Sequence, residues 1–357
     1  MKDSRYPATL MPRPSQPKRL PPKRKSVFRF TPVLAAALIV AGGIFSLPTL
    51  LAADLALANT QQYTPQDAFP VTVDPETKTI TVDPAVEALL NKPPTTFAAA
   101  SGEAGRAFQL LAIWVSKWPV YQQLASAAGV HNLFVTVHPG DRQEQVAREF
   151  GDTLGWTAAQ RAEFVKQSKK LTPNLPDGST PPGIYFASVS SPDDVATLVH
   201  QRFSQDILSR YSTTTQEQVP LSEAMTVASM LQRESGGWDD MRLISGVIWN
   251  RIFKGMNLQI DATLQYAKAS QDAGAKGWWP TVLPADKYIK SPYNTYAHNG
   301  LPPGPIANPS IEAILAALNP KKTNCLFYFH DQHGVFHCSV TYAQHVALLK
   351  KYYGQGK

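Results

Sequence analysis

Cysteine is scarce in this sequence of 357 residues, which holds only Cys325 and Cys338. A scaffold held together by several disulfides and a cysteine-rich zinc site are therefore excluded. Net positive charge is absent outside the first 30 residues. Those 30 residues hold nine Lys and Arg against one acid, whereas the other 327 hold 25 basic and 26 acidic groups. Because attraction to phosphate groups needs a basic surface on the folded part of a protein, this nearly neutral body argues against nucleic-acid binding.

Charge is absent altogether from residues 31–53, an apolar run of 23 residues. As a helix this run would be about 34 Å long, enough to cross a hydrocarbon core of about 30 Å. The basic residues before it and Asp54 after it fit the positive-inside rule. A cleaved secretory signal, with cleavage at 56–58, is the alternative, but signal peptides have shorter basic and apolar regions. We expect a disordered cytoplasmic tail over 1–30, a single transmembrane helix, and a body on the periplasmic or extracellular side of the inner membrane.

Residues 54–130 are predicted to form a juxtamembrane region. The run VTVDPETKTITVDP contains two alternating stretches around a turn at 74–77 and is typical of a small hairpin. A helix is expected over 108–124, where Trp114 and Trp118 recur at helical spacing. Such an aromatic stripe is typical of a core or a docking face, and less often of a carbohydrate platform.

A small α+β module is predicted over residues 131–215. FVTVHPGD is typical of a strand and a turn, QEQVAREFGDTLG and the segment 158–169 of two helices, and GIYFASV of a second strand. A third helix should begin at Pro192 with Ser191 as its N-cap. This order of elements is similar to that of LysM-like peptidoglycan-binding modules.

The helix predicted from VPLSEAMTVASMLQRES, early in the segment 216–357, carries a glutamate at its end. At about 100° per residue, Glu234 falls beside Val227 and Leu231 at the edge of an apolar face, and Gly236 ends the helix. A carboxyl group among apolar neighbours has its charged form disfavoured, so its pKa rises and it can donate a proton near neutral pH. Glycosidases need such an acid, although a single helical glutamate is most often a solvated surface residue.

Three sequence motifs indicate that this glutamate is not an ordinary solvated surface residue. The sequence resembles the MltG-type (YceG-like) endolytic murein transglycosylases over residues 131–350. The resemblance is carried by three motifs, which are, in chain order, ASMLQRES, WNRIFKGMNLQIDAT and SPYNTYAHNGLPPGPIANP. It implies an α+β fold with a single N-terminal transmembrane helix, a small LysM-like α+β module and an α+β catalytic domain over 216–357 with a lysozyme-like catalytic helix. It also implies a lyase that cuts the glycan strands of peptidoglycan.

The resemblance also assigns site residues. Glu234 matches the catalytic glutamate of the family, whose usual second acid two positions earlier is Gln232 here. A neutral amide at that position could keep the hydrogen bonds of the acid without its charge. The residues expected to bind substrate are Gln259, Asp261, Tyr293, Asn294, Thr295 and Tyr296. The residues expected to support the site without touching substrate are Gln232, Asn250 and Arg251.

The implied reaction needs one carboxyl group and neither a metal nor a cofactor. Glu234 would protonate the oxygen between N-acetylmuramic acid and N-acetylglucosamine and then take the proton of the C6 hydroxyl that attacks C1, which leaves a 1,6-anhydro end. By cutting nascent strands, such an enzyme would end their elongation. It would work beside penicillin-binding synthases and the division or elongation machinery. Two alternatives stay open: an inactive peptidoglycan-binding or division scaffold, if Gln232 has cost activity, and a lysozyme-like hydrolase, with Asp261 as second carboxylate.

Three acidic positions beside the motifs have structural interpretations. Asp239 and Asp240 precede the predicted helix MRLISGVIWNRIF, and we expect them to cap its N-terminus and to interact with its dipole, not to act as a second catalytic carboxylate. Asp261 is expected in a strand that leaves this helix, either lining the sugar groove or forming a turn. The many prolines of SPYNTYAHNGLPPGPIANP predict a rigid loop without regular structure, from which exposed Tyr293, Asn294 and Tyr296 would stack on sugars and form hydrogen bonds with them.

Histidines crowd the segment HDQHGVFHC near the C-terminus. Their spacing matches no standard zinc signature, and the segment is more simply a hairpin that turns at 331–334. Whether Cys325 and Cys338 share a face of that hairpin depends on its register. The sequence therefore leaves a disulfide between them open.

Overall fold

The structure of this protein, a computed structural model, describes residues 31–61, 67–90, 102–127, 133–175, 177–187 and 191–354. The expected cytoplasmic tail over 1–30 lies outside them. The chain divides into two units, Met1–Phe45 and Ser46–Lys357, which are described separately. Helix α1 (Thr31–Gln61) contains a stretch, Ala36–Leu55, that is apolar and long enough to cross a membrane; a signal sequence or a buried core helix meets the same criterion.

The remaining elements are given in chain order. The first are β1 (Val73–Asp74), β2 (Thr79–Ile80), α2 (Pro84–Leu90), α3 (Gly102–Ser116) and α4 (Pro119–Ala127). The middle part holds β3 (Leu133–Val137), α5 (Gln143–Leu154), α6 (Ala158–Leu171), β4 (Gly183–Ala187), α7 (Pro192–Asp206), a 3₁₀ turn (Leu208–Arg210) and α8 (Thr213–Gln218). The C-terminal part holds α9 (Leu221–Glu234), α10 (Trp238–Phe253), α11 (Asp261–Gln271), a 3₁₀ turn (Pro284–Tyr288), α12 (Ile311–Leu318), β5 (Phe327–His330), β6 (Phe336–Ser339) and α13 (Tyr342–Tyr353). The fold is mixed α+β, as predicted.

The middle part is built on the antiparallel pair β3 and β4, in which Val135 lies opposite Tyr185. Side chains on one face of this pair pack against α5, α6 and α7, with Phe150 and Phe164 at the centre of the cluster. Strand alternation directs the intervening side chains to the other face. The order of strand, helix, helix, strand and helix is the predicted one, and Ser191 caps α7 as expected.

The C-terminal part is built around α9, whose residues 224–231 are all buried. Helices α10 and α12 pack against it, and Trp249 of α10 donates its indole N–H to the carbonyl of Ala317 in α12 (2.9 Å). The predicted hairpin, β1–β2, is present and adds Val73 and Ile80 to this core. A helix enclosed on several sides in this way has little freedom to shift along its axis.

One expected helix is in fact two helices. The sequence predicts a single helix over 108–124, whereas α3 ends at Ser116 and α4 begins at Pro119. Proline lacks the N–H that a helix interior needs but fits the first turn of a new helix, so Pro119 separates the two. Trp114 and Trp118 still meet edge to face, with ring centroids 4.6 Å apart.

The three acidic positions beside the motifs also differ from expectation. Helix α10 begins at Trp238, so Asp239 and Asp240 lie in its first turn and not before it. Asp261 belongs to no strand and is the first residue of α11, two residues after Gln259, whose φ of 54° turns the backbone. The partial positive charge of a helix N-terminus favours acidic residues in the first turn, which accounts for both placements.

The C-terminal hairpin β5–β6 has the predicted turn. Oδ1 of Asp331 accepts hydrogen bonds from the N–H groups of His333 (2.9 Å) and Val335 (3.0 Å) and so holds the turn closed. Cys325, just before β5, and Cys338 in β6 form a disulfide. The pairing that the sequence left open is therefore present, and it ties the entry of the hairpin to its second strand.

A buried asparagine joins the middle part to the C-terminal part. Oδ1 of Asn308 accepts hydrogen bonds from the N–H groups of Gly178 (3.1 Å) and Thr180 (2.9 Å), and Nδ2 donates to the carbonyl of Asp141 (2.8 Å). Asn308 lies near the end of the irregular proline-rich loop 291–309 and is fully buried. This side chain fixes the loop against two segments of the middle part at once.

We predict that Asn308→Ala lowers the free energy of unfolding by roughly 3 kcal/mol, because the N–H groups of Gly178 and Thr180 lose their partner and each unsatisfied group costs about 1–3 kcal/mol. The Asp141 carbonyl keeps the hydrogen bond from the main-chain N–H of residue 308. Chemical denaturation of the full chain in detergent micelles measures this value. Asn174→Ala is the matched control because Asn174 is exposed, and it should change the value by less than about 0.5 kcal/mol. Equal losses in the two variants would contradict the role given to Asn308.

Candidate active site

Glu234 is the last residue of α9, and its partly buried carboxyl group is bound by two other elements. Oε1 accepts a hydrogen bond from the N–H of Ala262 in α11 (3.3 Å), and Oε2 accepts one from the hydroxyl of Tyr328 in β5 (3.1 Å). The helix ends here because Ser235 is extended and Gly236 follows. The carboxyl group therefore lies where α9, α11 and β5 meet.

The surroundings of Glu234 favour its protonated form. Removal from water is the largest influence and raises the pKa of the Glu234 carboxyl, and the negative charge of Asp261 raises it further. The two hydrogen bonds and His330 act in the opposite direction without reversing the shift. The net direction is the one that the apolar neighbours on the helix predict, and it keeps a proton on Glu234 at a higher pH than on an ordinary glutamate.

Tyr328 is a site residue that the sequence reasoning missed. Its ring stacks on Phe336, with centroids 5.8 Å apart, and burial raises the pKa of its hydroxyl, so the hydroxyl remains a donor. Nε2 of His330, on the same face of β5, lies 2.9 Å from Oδ2 of Asp240 in α10. Alternation along FYFH could have placed Tyr328 and His330 on one face, since side chains two apart in a strand point the same way.

Asp261, which is exposed, and Tyr296, which is half-buried, are joined by a hydrogen bond close to Glu234. The Tyr296 hydroxyl donates to Oδ1 of Asp261 (2.6 Å), and Nζ of Lys287 lies 5.0 Å from the centre of the Tyr296 ring. Burial raises the pKa of the Tyr296 hydroxyl, and the Asp261 carboxylate raises it further. A hydroxyl that keeps its proton and a carboxylate that faces solvent can together bind the hydroxyl groups of a ligand.

Two of the residues expected to bind substrate lie in the interior. Nδ2 of Asn294 donates to the carbonyls of Lys287 (3.0 Å) and Ile289 (2.8 Å). Oγ1 of Thr295 accepts from the N–H of Ile260 (3.0 Å). Asn294 is 0% and Thr295 2% exposed, so neither offers surface to a ligand, and both hold the shape of the loop.

Two further residues expected to bind substrate, Tyr293 and Gln259, are at least partly accessible. Tyr293 is half-buried against Tyr266, with ring centroids 4.6 Å apart. Gln259 is exposed, and its N–H donates to the carbonyl of Thr295 (3.0 Å). The structure thus brings exposed Asp261 and half-buried Tyr296 close to Glu234, and exposed Gln259 lies two residues before Asp261 in the chain.

The three residues expected to support the site bind main-chain groups. Oε1 of Gln232 accepts a hydrogen bond from the N–H of Ser310, the N-cap of α12 (3.0 Å). Asn250 and Arg251, near the end of α10, donate to carbonyls of the segment 323–326 that leads into β5. Arg251 also donates to the carbonyl of Leu258, before α11. These bonds orient the elements that carry Tyr328 and Asp261.

The part of the chain that the structure describes contains no candidate metal site. No group of three or more His, Cys, Asp or Glu residues there could hold an ion. His330 pairs with Asp240, and His337 pairs with Asp331 at 2.9 Å. These histidines of HDQHGVFHC therefore serve the packing of the hairpin.

Comparison with known proteins gives consistent matches. The sequence profile of the YceG-like family matches residues 108–351. A Bacillus subtilis protein named endolytic murein transglycosylase is 28% identical over 256 residues, which is 65% of this chain and 69% of that protein. A Streptococcus pneumoniae protein of the same name is 34% identical over 121 residues, 34% of this chain and 22% of that protein. A solved YceG-like protein of Listeria monocytogenes shares the fold, with a TM-score of 0.54, 24% identity, and coverage of 64% of this chain and 80% of that one.

We predict that Tyr328→Phe raises the pKa of Glu234 further, because the lost hydrogen bond favours the charged carboxylate. Carbon-13 NMR of side-chain carboxyl groups measures the titration, with the Glu234 signal assigned by its loss in Glu234→Gln. Tyr288→Phe removes an exposed hydroxyl and should leave the titration unchanged. An unchanged or lowered pKa in Tyr328→Phe would show that this hydroxyl does not act on the carboxyl group.

Proposed function

The chain belongs to the YceG-like family, and from this premise we propose that it is an endolytic murein transglycosylase, a lyase that cuts peptidoglycan glycan strands. The observation that carries the proposal is the carboxyl group of Glu234, whose pKa is raised by burial and which lies beside exposed Asp261 and half-buried Tyr296. Protonation of a glycosidic oxygen requires such an acid next to an open polar surface.

In the proposed reaction Glu234 acts twice. It first donates its proton to the oxygen between N-acetylmuramic acid and N-acetylglucosamine, and the bond from that oxygen to C1 breaks. The resulting carboxylate then accepts the proton of the C6 hydroxyl on the same muramic acid, whose oxygen bonds to C1. A 1,6-anhydro ring and a free N-acetylglucosamine end result, no water is consumed, and Glu234 regains its proton.

The proposed roles at the site follow its geometry. Asp261 and Tyr296, which lie close to Glu234, bind sugar hydroxyls together with exposed Gln259, and Tyr293 offers a half-exposed ring. Asn294 and Thr295 contribute by holding the loop, and Gln232, Asn250 and Arg251 by orienting α12, β5 and α11. Tyr328 is added to the set as the donor to Glu234.

A lysozyme-like hydrolase is the second candidate, and Asp261 is the observation that favours it. Its charge raises the pKa of Glu234, so a second carboxylate lies near the first. Glycoside hydrolases use such a pair, with the second carboxylate either activating a water molecule or attacking C1. The hydrogen bond from Tyr296 to Asp261 instead supports a role for Asp261 in binding.

The proposed organisation places the enzyme at the membrane. Residues 31–53 anchor the chain in the inner membrane as a single pass, with 1–30 cytoplasmic and 54–357 outside the cytoplasm; the uncharged run behind a basic tail supports this. A juxtamembrane region over 54–130 leads to the domains. There the enzyme would meet nascent glycan and work beside penicillin-binding synthases and the division or elongation machinery, with no nucleic acid or cofactor involved.

The two folded parts receive separate roles. The strand, helix, helix and strand order of β3, α5, α6 and β4 supports a LysM-like module over 131–215 that binds peptidoglycan. The buried helix α9 with its terminal glutamate supports a lysozyme-like catalytic helix in a catalytic domain over 216–357. Asn308 would hold the binding module in a fixed position beside the catalytic loop.

We predict that Glu234→Gln reduces glycan cleavage by about 10⁴-fold or more, because acid and base duties, each worth about 10²–10⁴, fall on the same group. The measurement is release of muropeptides from isolated sacculi. Glu223→Gln is the matched control: it makes the same change in the first turn of the same helix and should keep activity. If Glu234→Gln retained a substantial part of wild-type cleavage, another group would be the acid, and Asp261 would be the next candidate.

We predict that Gln232→Glu changes the cleavage rate by less than about tenfold, because either side-chain oxygen can accept the hydrogen bond from Ser310 and the catalytic proton belongs to Glu234. The same sacculus assay measures the rate. A very large gain in Gln232→Glu would show that the natural chain is close to inactive and would favour the alternative of a peptidoglycan-binding scaffold.

A further inference from the structure

Helix α3 is apolar on two opposite faces. Its inner face carries buried Ala112 and Val115, whereas its outer face carries Leu110 and Trp114, which are 70% and 55% exposed. Ala107, Leu110, Leu111, Trp114 and Trp118 recur at spacings of three and four, so they form one continuous stripe. A helix with apolar residues on two opposite faces normally has neighbours on both, yet Leu110 and Trp114 on this stripe remain largely exposed in the part of the chain that the structure describes.

The same kind of surface continues into α4. Val120 and Leu124, one turn apart on α4, are 57% and 59% exposed. We call the set formed by Ala107, Leu110, Leu111, Trp114, Trp118, Val120 and Leu124 the apolar stripe. Its extent over two consecutive helices distinguishes it from the scattered exposed apolar residues that any soluble surface carries.

The inner face of α3 packs against the C-terminal part of α1. Ala112 forms a buried cluster with Leu51 and Ala52 of α1 and with Phe134 of β3, and Leu47 and Leu55 pack against this cluster. These α1 residues lie within Ala36–Leu55, the stretch long enough to cross a membrane. Helix α3 is therefore in contact with the end of the stretch proposed as the anchor.

The helical rise gives the depth of this contact. Leu51 lies four residues and Leu47 eight residues before Leu55, the end of the apolar stretch, which corresponds to about 6 Å and 12 Å along the helix axis. Interfacial helices bury their apolar face about 5–10 Å into the boundary between headgroups and acyl chains. The position of α3 against α1 thus matches the depth of an interfacial helix.

Charge around the stripe suits an anionic lipid surface. The sequence has no acidic residue from 104 to 140, and the charges within α3 and the turn after it, beyond Glu103, are those of Arg106 and Lys117. On the helical projection Glu103 falls on the stripe at the N-terminal end of α3, and the two basic residues fall at one border of the stripe, where lipid phosphates would lie. Paired tryptophans, here Trp114 and Trp118, are favoured at such interfaces.

We propose that α3 and α4 lie in the outer interface of the membrane that α1 crosses, with the apolar stripe in contact with anionic phospholipid. The inference rests on the membrane anchor of the proposed function and goes beyond the enzymatic activity. It gives the body a second attachment besides α1. Since two attachments restrict rotation about a single anchor, they hold the body in one orientation above the bilayer.

The test places an environment-sensitive NBD fluorophore on the stripe in the full chain, through Leu110→Cys, in vesicles of phosphatidylcholine and phosphatidylglycerol. The native cysteines are already paired and stay unlabelled when no reductant is added. Ala159→Cys, exposed on α6, is the matched control, and Leu124→Cys is a second probe should the label at 110 disturb α3. Circular dichroism checks folding. Quenching by brominated lipid is compared with quenching by aqueous iodide.

We expect the label at 110 or 124 to be quenched by brominated lipid several-fold more strongly than the label at 159, and to be shielded from iodide. Quenching by iodide alone would overturn the proposal. Shielding from both quenchers would also overturn it, because a second copy or another protein segment would then cover the stripe. A chain that does not float with the vesicles would overturn both the anchor and the interfacial helices.

The activity of the same samples separates this inference from the proposed function. Glycan cleavage uses Glu234, which lies on α9 and not on α3 or α4. Absence of cleavage in the wild type, with strong lipid quenching at 110, would reject the enzyme and keep the interfacial helices. Cleavage by the wild type, without lipid quenching at 110, would keep the enzyme and reject the interfacial helices.

Discussion

The confinement of one carboxyl group at the end of a buried helix is the constraint on which the rest of the site depends. Residues 224–231 of α9 are enclosed by the core, which fixes the end of the helix that carries Glu234. The carboxyl group is satisfied from two directions, by a main-chain N–H at the start of α11 and by Tyr328 of β5. Burial and the nearby charge of Asp261 then raise its pKa, which is the direction that the proposed role of proton donor requires.

The proline-rich loop 291–309 connects this helix to the middle part of the chain. The hydroxyl of Ser229, on α9, accepts a hydrogen bond from the N–H of Ile306 (3.0 Å), and Gln232 accepts one from the N–H just after the loop. Asn308, in the same loop, binds two segments of the middle part. The loop is therefore bound to the helix on one side and to the proposed binding module on the other, so the position of the module and that of the carboxyl group are set by the same short segment.

Local features of the fold could be predicted from the sequence, and features made by distant segments could not. The strands and helices of the middle part, the C-terminal hairpin and the end of α9 follow from periodicity and from Gly, Pro and Ser signals. Asp261 was expected in a strand because nothing local shows that Gln259 takes a positive φ. Tyr328 was missed because its partner lies 94 residues away, and Asn294 and Thr295 were expected in the groove because a motif shows which residues recur but not which of them face inward.

The account claims that Glu234 alone serves as acid and base and that the sugar's own C6 hydroxyl replaces water. Digestion of purified sacculi in water enriched in oxygen-18, followed by mass spectrometry of the new ends, tests this claim most directly. The account predicts 1,6-anhydro-muramic acid ends that carry no label and are lighter than the reducing ends by one water. Reducing ends that carry oxygen-18 would contradict it, because they would mean that water attacks C1 and that a second carboxylate, for which Asp261 is the candidate, takes part.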